Sequence, residues 1–115
     1  MMKQFFYAVL LFTLGQSLIW FQTNGQFFWK WAKDHPLWMA FLFSTPIAII
    51  FIKATELIVI YFNGELWPGR FIGFAMGIMT FAFFTSIIMG EGINHKTTVS
   101  LLLSITLLLI QILWK

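Results

Sequence analysis

Long apolar runs alternate along this chain with short breaks rich in Gly, Asn, Pro and charge. Each run is about as long as the roughly 20 residues that a helix needs to cross a bilayer. The breaks therefore predict four transmembrane helices, at about residues 4–21, 37–62, 68–89 and 98–114. Thr23-Asn24-Gly25 ends the first. Asp34-His35-Pro36 opens the second, with Asp34 or His35 near the N-cap and the proline in the first turn, where its missing N–H costs nothing. Asn63-Gly64-Glu65 and Trp67-Pro68-Gly69 bracket the next reversal. Gly90-Glu91-Gly92 marks the last, after which Thr97 or Thr98 is the expected N-cap. Residues 27–33, Phe-Phe-Trp-Lys-Trp-Ala-Lys, interleave aromatic rings with ammonium groups and suit a segment lying at headgroup level. All six tryptophans, at 20, 29, 31, 38, 67 and 114, fall at or near the span ends, as interfacial anchors do.

Each span also carries one polar or small stripe. In the first, Thr13, Gln16 and Ser17 fall within an arc of about 100°, and Gly15 beside them admits another helix. Gln16 there is either interhelical glue or a substrate contact. In the second, Thr45, Lys53, Glu56 and Asn63 fall within about 80°, and Pro46 supplies a kink. In the third, Gly69, Gly73 and Gly77 form a doubled small-xxx-small ridge for close backbone packing, within the chain or against a second copy. In the fourth, Thr97, Ser100, Ser104 and Gln111 fall within about 60°, opposite a Leu and Ile face. The expected packing is a compact four-helix bundle with these stripes turned inward; one such bundle has little room for a cavity, and the expected polar cavity, lined by Gln16, Ser17, Lys53, Glu56 and Ser104, belongs to a homo-oligomer.

Lys53 and Glu56 stand apart as ionisable side chains within an apolar run. Such groups are costly at lipid depth and commonly have a partner or a function. Their cost offsets most of what the surrounding Leu, Ile, Phe and Val contribute, so this helix is expected to insert with partners. Three residues apart, they can pair on one helix face. They are then a self-neutralising pair, a substrate- or ion-binding site centred on Glu56, or a contact with another helix or subunit.

Composition narrows the class. With 115 residues, 60% hydrophobic and 10% charged, the chain falls well below the charged fraction of about a quarter found in soluble domains, which makes it an all-α polytopic membrane protein of one domain, residues 1–115. The run from Phe5 to Phe21 is long for a signal peptide and lacks a cleavage site, so it reads as a retained anchor. There is no cysteine, and the net charge of +3 is spread too thinly for a nucleic-acid footprint. No nucleophile–base set, metal cluster or phosphate loop can be assembled, so neither enzyme activity nor a cofactor is expected, and His35 has no second ligand nearby. Four passes place Lys3, Arg70 and Lys115 on one side and Lys30, Lys33 and Lys96 on the other. This balance gives the positive-inside rule nothing to act on. It allows insertion in both orientations and an inverted pair of copies, as well as a single orientation set by partners.

Pro36-Leu37-Trp38-x-Ala40 at the start of the second span and the last helix pair from Phe84 to Trp114, joined through Gly90-Glu91, resemble the small four-helix members of the drug/metabolite transporter superfamily, including the small multidrug resistance proteins. The resemblance implies a small transporter working as an oligomer in the bacterial inner (cytoplasmic) membrane. Small multidrug resistance proteins carry a first-helix glutamate that binds protons and cationic substrates in turn. The similar position here is Gln16, which cannot ionise, so a proton-coupled role would fall to Glu56. The expected function is movement of a small molecule or ion across the membrane, with Lys53 and Glu56 taking part. The alternative is an accessory or structural subunit that packs its glycine ridge against a larger membrane complex.

Overall fold

The computed structural model describes residues 2–114. Helices α1 (Met2–Asn24), α2 (Lys30–Asp34), α3 (Pro36–Tyr61), α4 (Trp67–Ile88) and α5 (His95–Leu113) follow one another, with a 3-10 turn at Gly25–Phe27. Four of them, α1, α3, α4 and α5, are long and apolar enough to cross a membrane, and no strand occurs among the described residues. The protein is an all-α, four-helix integral membrane bundle. Met1 and Lys115 lie outside the described residues, and with them the placement of the Lys115 charge.

The helix ends follow local chemistry. α3 ends where Asn63 and Gly64 take φ values of +57° and +95°, and the Gly64 N–H closes back on the Val59 carbonyl at 2.8 Å. Asn tolerates the left-handed region better than most side chains, and Gly adopts it freely. α5 begins earlier than Thr97. Its N-cap is Asn94, whose side-chain oxygen accepts from the Thr97 N–H at 2.9 Å, because an amide oxygen three residues upstream satisfies that donor before either threonine needs to. α3 runs unbroken through Pro46.

α1 is the centre of the assembly. It packs antiparallel against α3 and parallel to α4; α5 packs mainly on α4, and α3 and α4 scarcely meet. The result is flattened, with extents of 47 × 36 × 19 Å. The core is Ala8, Phe12, Ala54, Ile58 and Ile72. Alanines at 8 and 54 let α1 and α3 approach closely, while Phe12 and Phe51 fill the space beside them with ring centroids 5.9 Å apart.

The glycine ridge is used within the chain. A Cβ on Gly69 would stand 2.7 Å from Ile58 Cγ2 of α3; on Gly73 and Gly77 it would stand 3.3 Å from the Phe12 ring and 2.9 Å from the Gln16 side chain of α1. Since lipid is as apolar as leucine, such close packing supplies what burial supplies in water.

Two expectations change here. Trp20 is not an interfacial anchor: it is buried, and its indole N–H donates to Thr85 Oγ1 of α4 at 3.0 Å. The polar stripe of α3 faces outward, with Thr45, Lys53, Glu56 and Asn63 all exposed. α1 instead takes the side bearing Ala54 and Ile58, whose shapes fit Ala8 and Phe12, and the stripe's two charges already satisfy each other.

Candidate functional site

Because α1 separates α3 from α4 over most of their length, the space between those two helices is an open cleft with α1 as its floor. Its volume is about 620 Å³. Phe12 and Gln16 form the floor, Phe51 and Thr55 the α3 wall, and Gly69, Arg70, Gly73 and Phe74 the α4 wall. The glycines matter twice, since their missing side chains admit Phe12 of α1 at Gly73 and Ile58 of α3 at Gly69 and also leave the cleft open.

Gln16 is half-buried, with one amide N–H donating to the Gly73 carbonyl at 3.2 Å. That bond ties α1 to α4 and leaves the amide oxygen and the second N–H beside the cleft. Thr55 makes no side-chain hydrogen bond, and Arg70 no hydrogen bond or ion pair, among the described residues. Arg70 lies in the first turn of α4, close to the membrane surface, and Gly73 lies one turn deeper, about 5 Å along the helix.

The five residues expected to share a cavity are not brought together within one chain. Gln16 alone lines the cleft. Ser17 returns its hydroxyl to the Thr13 carbonyl of its own helix at 2.7 Å, and Ser104, buried on α5, does the same to Ser100 at 2.9 Å. Lys53 and Glu56 pair at 2.8 Å on the outer surface of α3, each side chain 55% exposed. At about 100° per residue, Glu56 points about 180° from the direction shared by the buried Ala54 and Ile58, whereas Thr55 points about 80° from it, towards the cleft. Lys53 flanks a second, smaller groove of about 310 Å³ with Lys3, Gln4 and Tyr7 on the far side of α1. Lys53–Glu56 is the only ion pair among the described residues, and no three His, Asp or Glu come together there as a metal site.

Thr55 and Arg70 were the residues that sequence reasoning missed. Thr55 sits between Lys53 and Glu56 in the chain, and its different direction is legible on a helical wheel only once the α1-facing side is known. Arg70 read as a side-marking charge, and only the gap between α3 and α4 gives it a cleft to line.

No family model matches this chain, and neither a curated protein nor a solved structure matches it.

Proposed function

We propose that this protein is a small transporter-like component of the bacterial inner membrane, which binds a small molecule in the α3/α4 cleft and passes it across the bilayer with no bond made or broken. The observation that carries this reading is the cleft: about 620 Å³ at membrane depth, bearing Gln16, Thr55 and Arg70 among aromatic walls. Binding sites of roughly 300–1,000 Å³ lined by apolar groups with a few polar ones are the usual form of a small-molecule site. Polar groups in a membrane span are costly enough to favour a role for them. α3 and α4 meet closely at Ile58 and Gly69 and share little contact beyond that point, so they can spread or close about it and about α1, as alternating access requires. The likeness to small drug/metabolite transporters belongs to this proposal and rests on the sequence motifs alone.

One observation favours a second reading, an accessory subunit or a homo-oligomer. The Lys53–Glu56 pair on the outer face of α3 is a polar surface that a partner would cover better than lipid, while the glycine ridge is already engaged by α1 and α3. If α3 is centred in the bilayer, Lys53 and Glu56 stand about 7 and 11 Å from its midpoint on one side. An inverted copy on this face would separate Lys53 from the other copy's Glu56 by about 18 Å along the normal, whereas a parallel copy sets all four charges within about 4 Å of one another in depth. The outer face of α3 thus suits a parallel copy, and an inverted pair would have to use another face.

The test is uptake of a panel of small amphiphiles into liposomes containing the purified protein. Thr55→Trp, which fills the cleft, is expected to abolish flux, while Lys53→Met with Glu56→Gln leaves it largely intact. Flux indistinguishable from empty liposomes, together with copurification of an unrelated stoichiometric partner from native membrane, would replace transport with the accessory role.

A further inference from the structure

Resting on the reading that the cleft is the ligand site, we infer that its ligand is an anionic amphiphile, with a carboxylate or phosphate head at Arg70 and an apolar body against Phe12, Phe51 and Phe74. The charge of the cleft comes first. Arg70 is the one ionisable side chain lining it, and it has no carboxylate partner among the described residues, Glu65 of the preceding turn included. Glu56, the acid nearest in sequence to the α3 wall, points about 100° away from Thr55 around the helix, does not line the cleft and is held by Lys53. A cationic ligand entering here meets an unopposed guanidinium and no acid; an anionic head meets a planar donor fork suited to carboxylate or phosphate.

The remaining polar groups lie deeper. The Thr55 hydroxyl has no protein partner among the described residues, and Gln16, at the level of Gly73 and Gly77, keeps one N–H beyond the bond it gives to Gly73, so each has a donor for a polar group further along the ligand. The walls fit the body. The Phe12 and Phe51 rings stand 5.9 Å apart on the floor and the α3 side, Phe74 faces them from α4, and all three are apolar throughout. Position completes the match. Arg70 lies in the first turn of α4, where lipid heads lie, and the cleft it lines is open and not enclosed, so a molecule already oriented in the leaflet can meet the guanidinium at head level.

Two sources supply this chemistry, an anionic phospholipid resident in the membrane and a free carboxylate such as a fatty acid. The experiment is native mass spectrometry of the full chain, with phosphatidylglycerol, phosphatidylcholine of the same acyl chains, oleate and a long-chain alkylammonium as probes. Circular dichroism and gel filtration check that each variant is folded. The expected result is a preference of roughly fivefold or more for phosphatidylglycerol or oleate over phosphatidylcholine, in line with one basic group acting on an anionic lipid. Arg70→Gln removes the preference, Arg70→Lys keeps part of it, and Lys96→Gln at the opposite end leaves it unchanged. Binding of phosphatidylglycerol alone identifies a resident lipid, and binding of oleate alone a free amphiphile; either supports the class. A preference that survives Arg70→Gln, or alkylammonium bound as tightly as oleate, overturns it. Thr55→Trp separates this failure from that of the site itself. If it blocks a neutral or cationic probe, the cleft stands and only the charge class falls; if it alters binding of no probe, the cleft is not the ligand site.

Discussion

Gln16 and the Lys53–Glu56 pair are both polar groups inside membrane-spanning helices, and the fold treats them in opposite ways. Gln16 is drawn into the α1/α4 contact, where a glycine beside it makes room and a backbone carbonyl accepts its N–H. Lys53 and Glu56 are left on the outer surface, bonded to each other. The amide is neutral and needs only one partner and a close backbone, which the glycine ridge provides. Two opposite charges one turn apart need no third group, and burying them against α1 would displace Ala54 and Ile58, whose shapes hold the core together. A polar group that is satisfied locally is free to stay outside; one that is not must be built into a contact.

The largest effect is expected where the inner site is held. Gly69→Leu drives a side chain into Ile58 Cγ2, 2.7 Å from where its Cβ would be, and Ile58 is fully buried and β-branched and so cannot step aside. A loss of about 3 kcal/mol or outright failure to fold is expected. Gly73→Ala, facing a Phe12 ring at 3.3 Å, should cost much less. Thermal unfolding in detergent reads both, and equal costs would mean that α4 does not depend on its approach to α3.

Next come the outer charges. Lys53→Met or Glu56→Gln alone leaves one uncompensated partner, lowering the yield of inserted protein roughly several-fold, while the double change restores it. Membrane-fraction immunoblots measure this. A double variant as poor as the singles would show that the pair is needed by a partner and is more than self-neutralising.

Smaller effects probe the inner contacts one bond at a time. Trp20→Phe removes the indole bond to Thr85 and should cost about 1 kcal/mol in unfolding free energy by steric-trapping or denaturant titration. Gln16→Leu removes one amide bond and keeps the volume, for about 0.6 kcal/mol, the average for such bonds in membranes. If Gln16→Leu leaves stability untouched but changes ligand uptake, Gln16 serves the cleft and not the packing.

Much of the architecture was legible in the residues themselves. Asn63-Gly64 and Gly90 mark reversals because they tolerate positive φ, Pro36 and Pro68 open helices, and the run lengths match a bilayer. The glycine ridge announced a close helix contact. Its partner could not be read, because a stripe without side chains suits any complementary surface, and it took the positions of Phe12, Gln16 and Ile58 to identify α1 and α3. The candidate site was half-legible. Gln16 stood out by polarity, whereas Thr55 and Arg70 acquire their meaning from a gap between two helices that are adjacent in sequence but held apart in space.

The sequence alone determined that this is a four-helix membrane protein, because hydropathy and turn chemistry are local properties that water and lipid enforce on each segment. Only the tertiary structure decided which face of each helix is inside. In water the hydrophobic effect sorts polar from apolar faces, but in a bilayer lipid and protein interior are equally apolar, so the choice falls to shape: Ala54 and Ile58 fit α1, and Lys53 and Glu56, content with each other, are turned out.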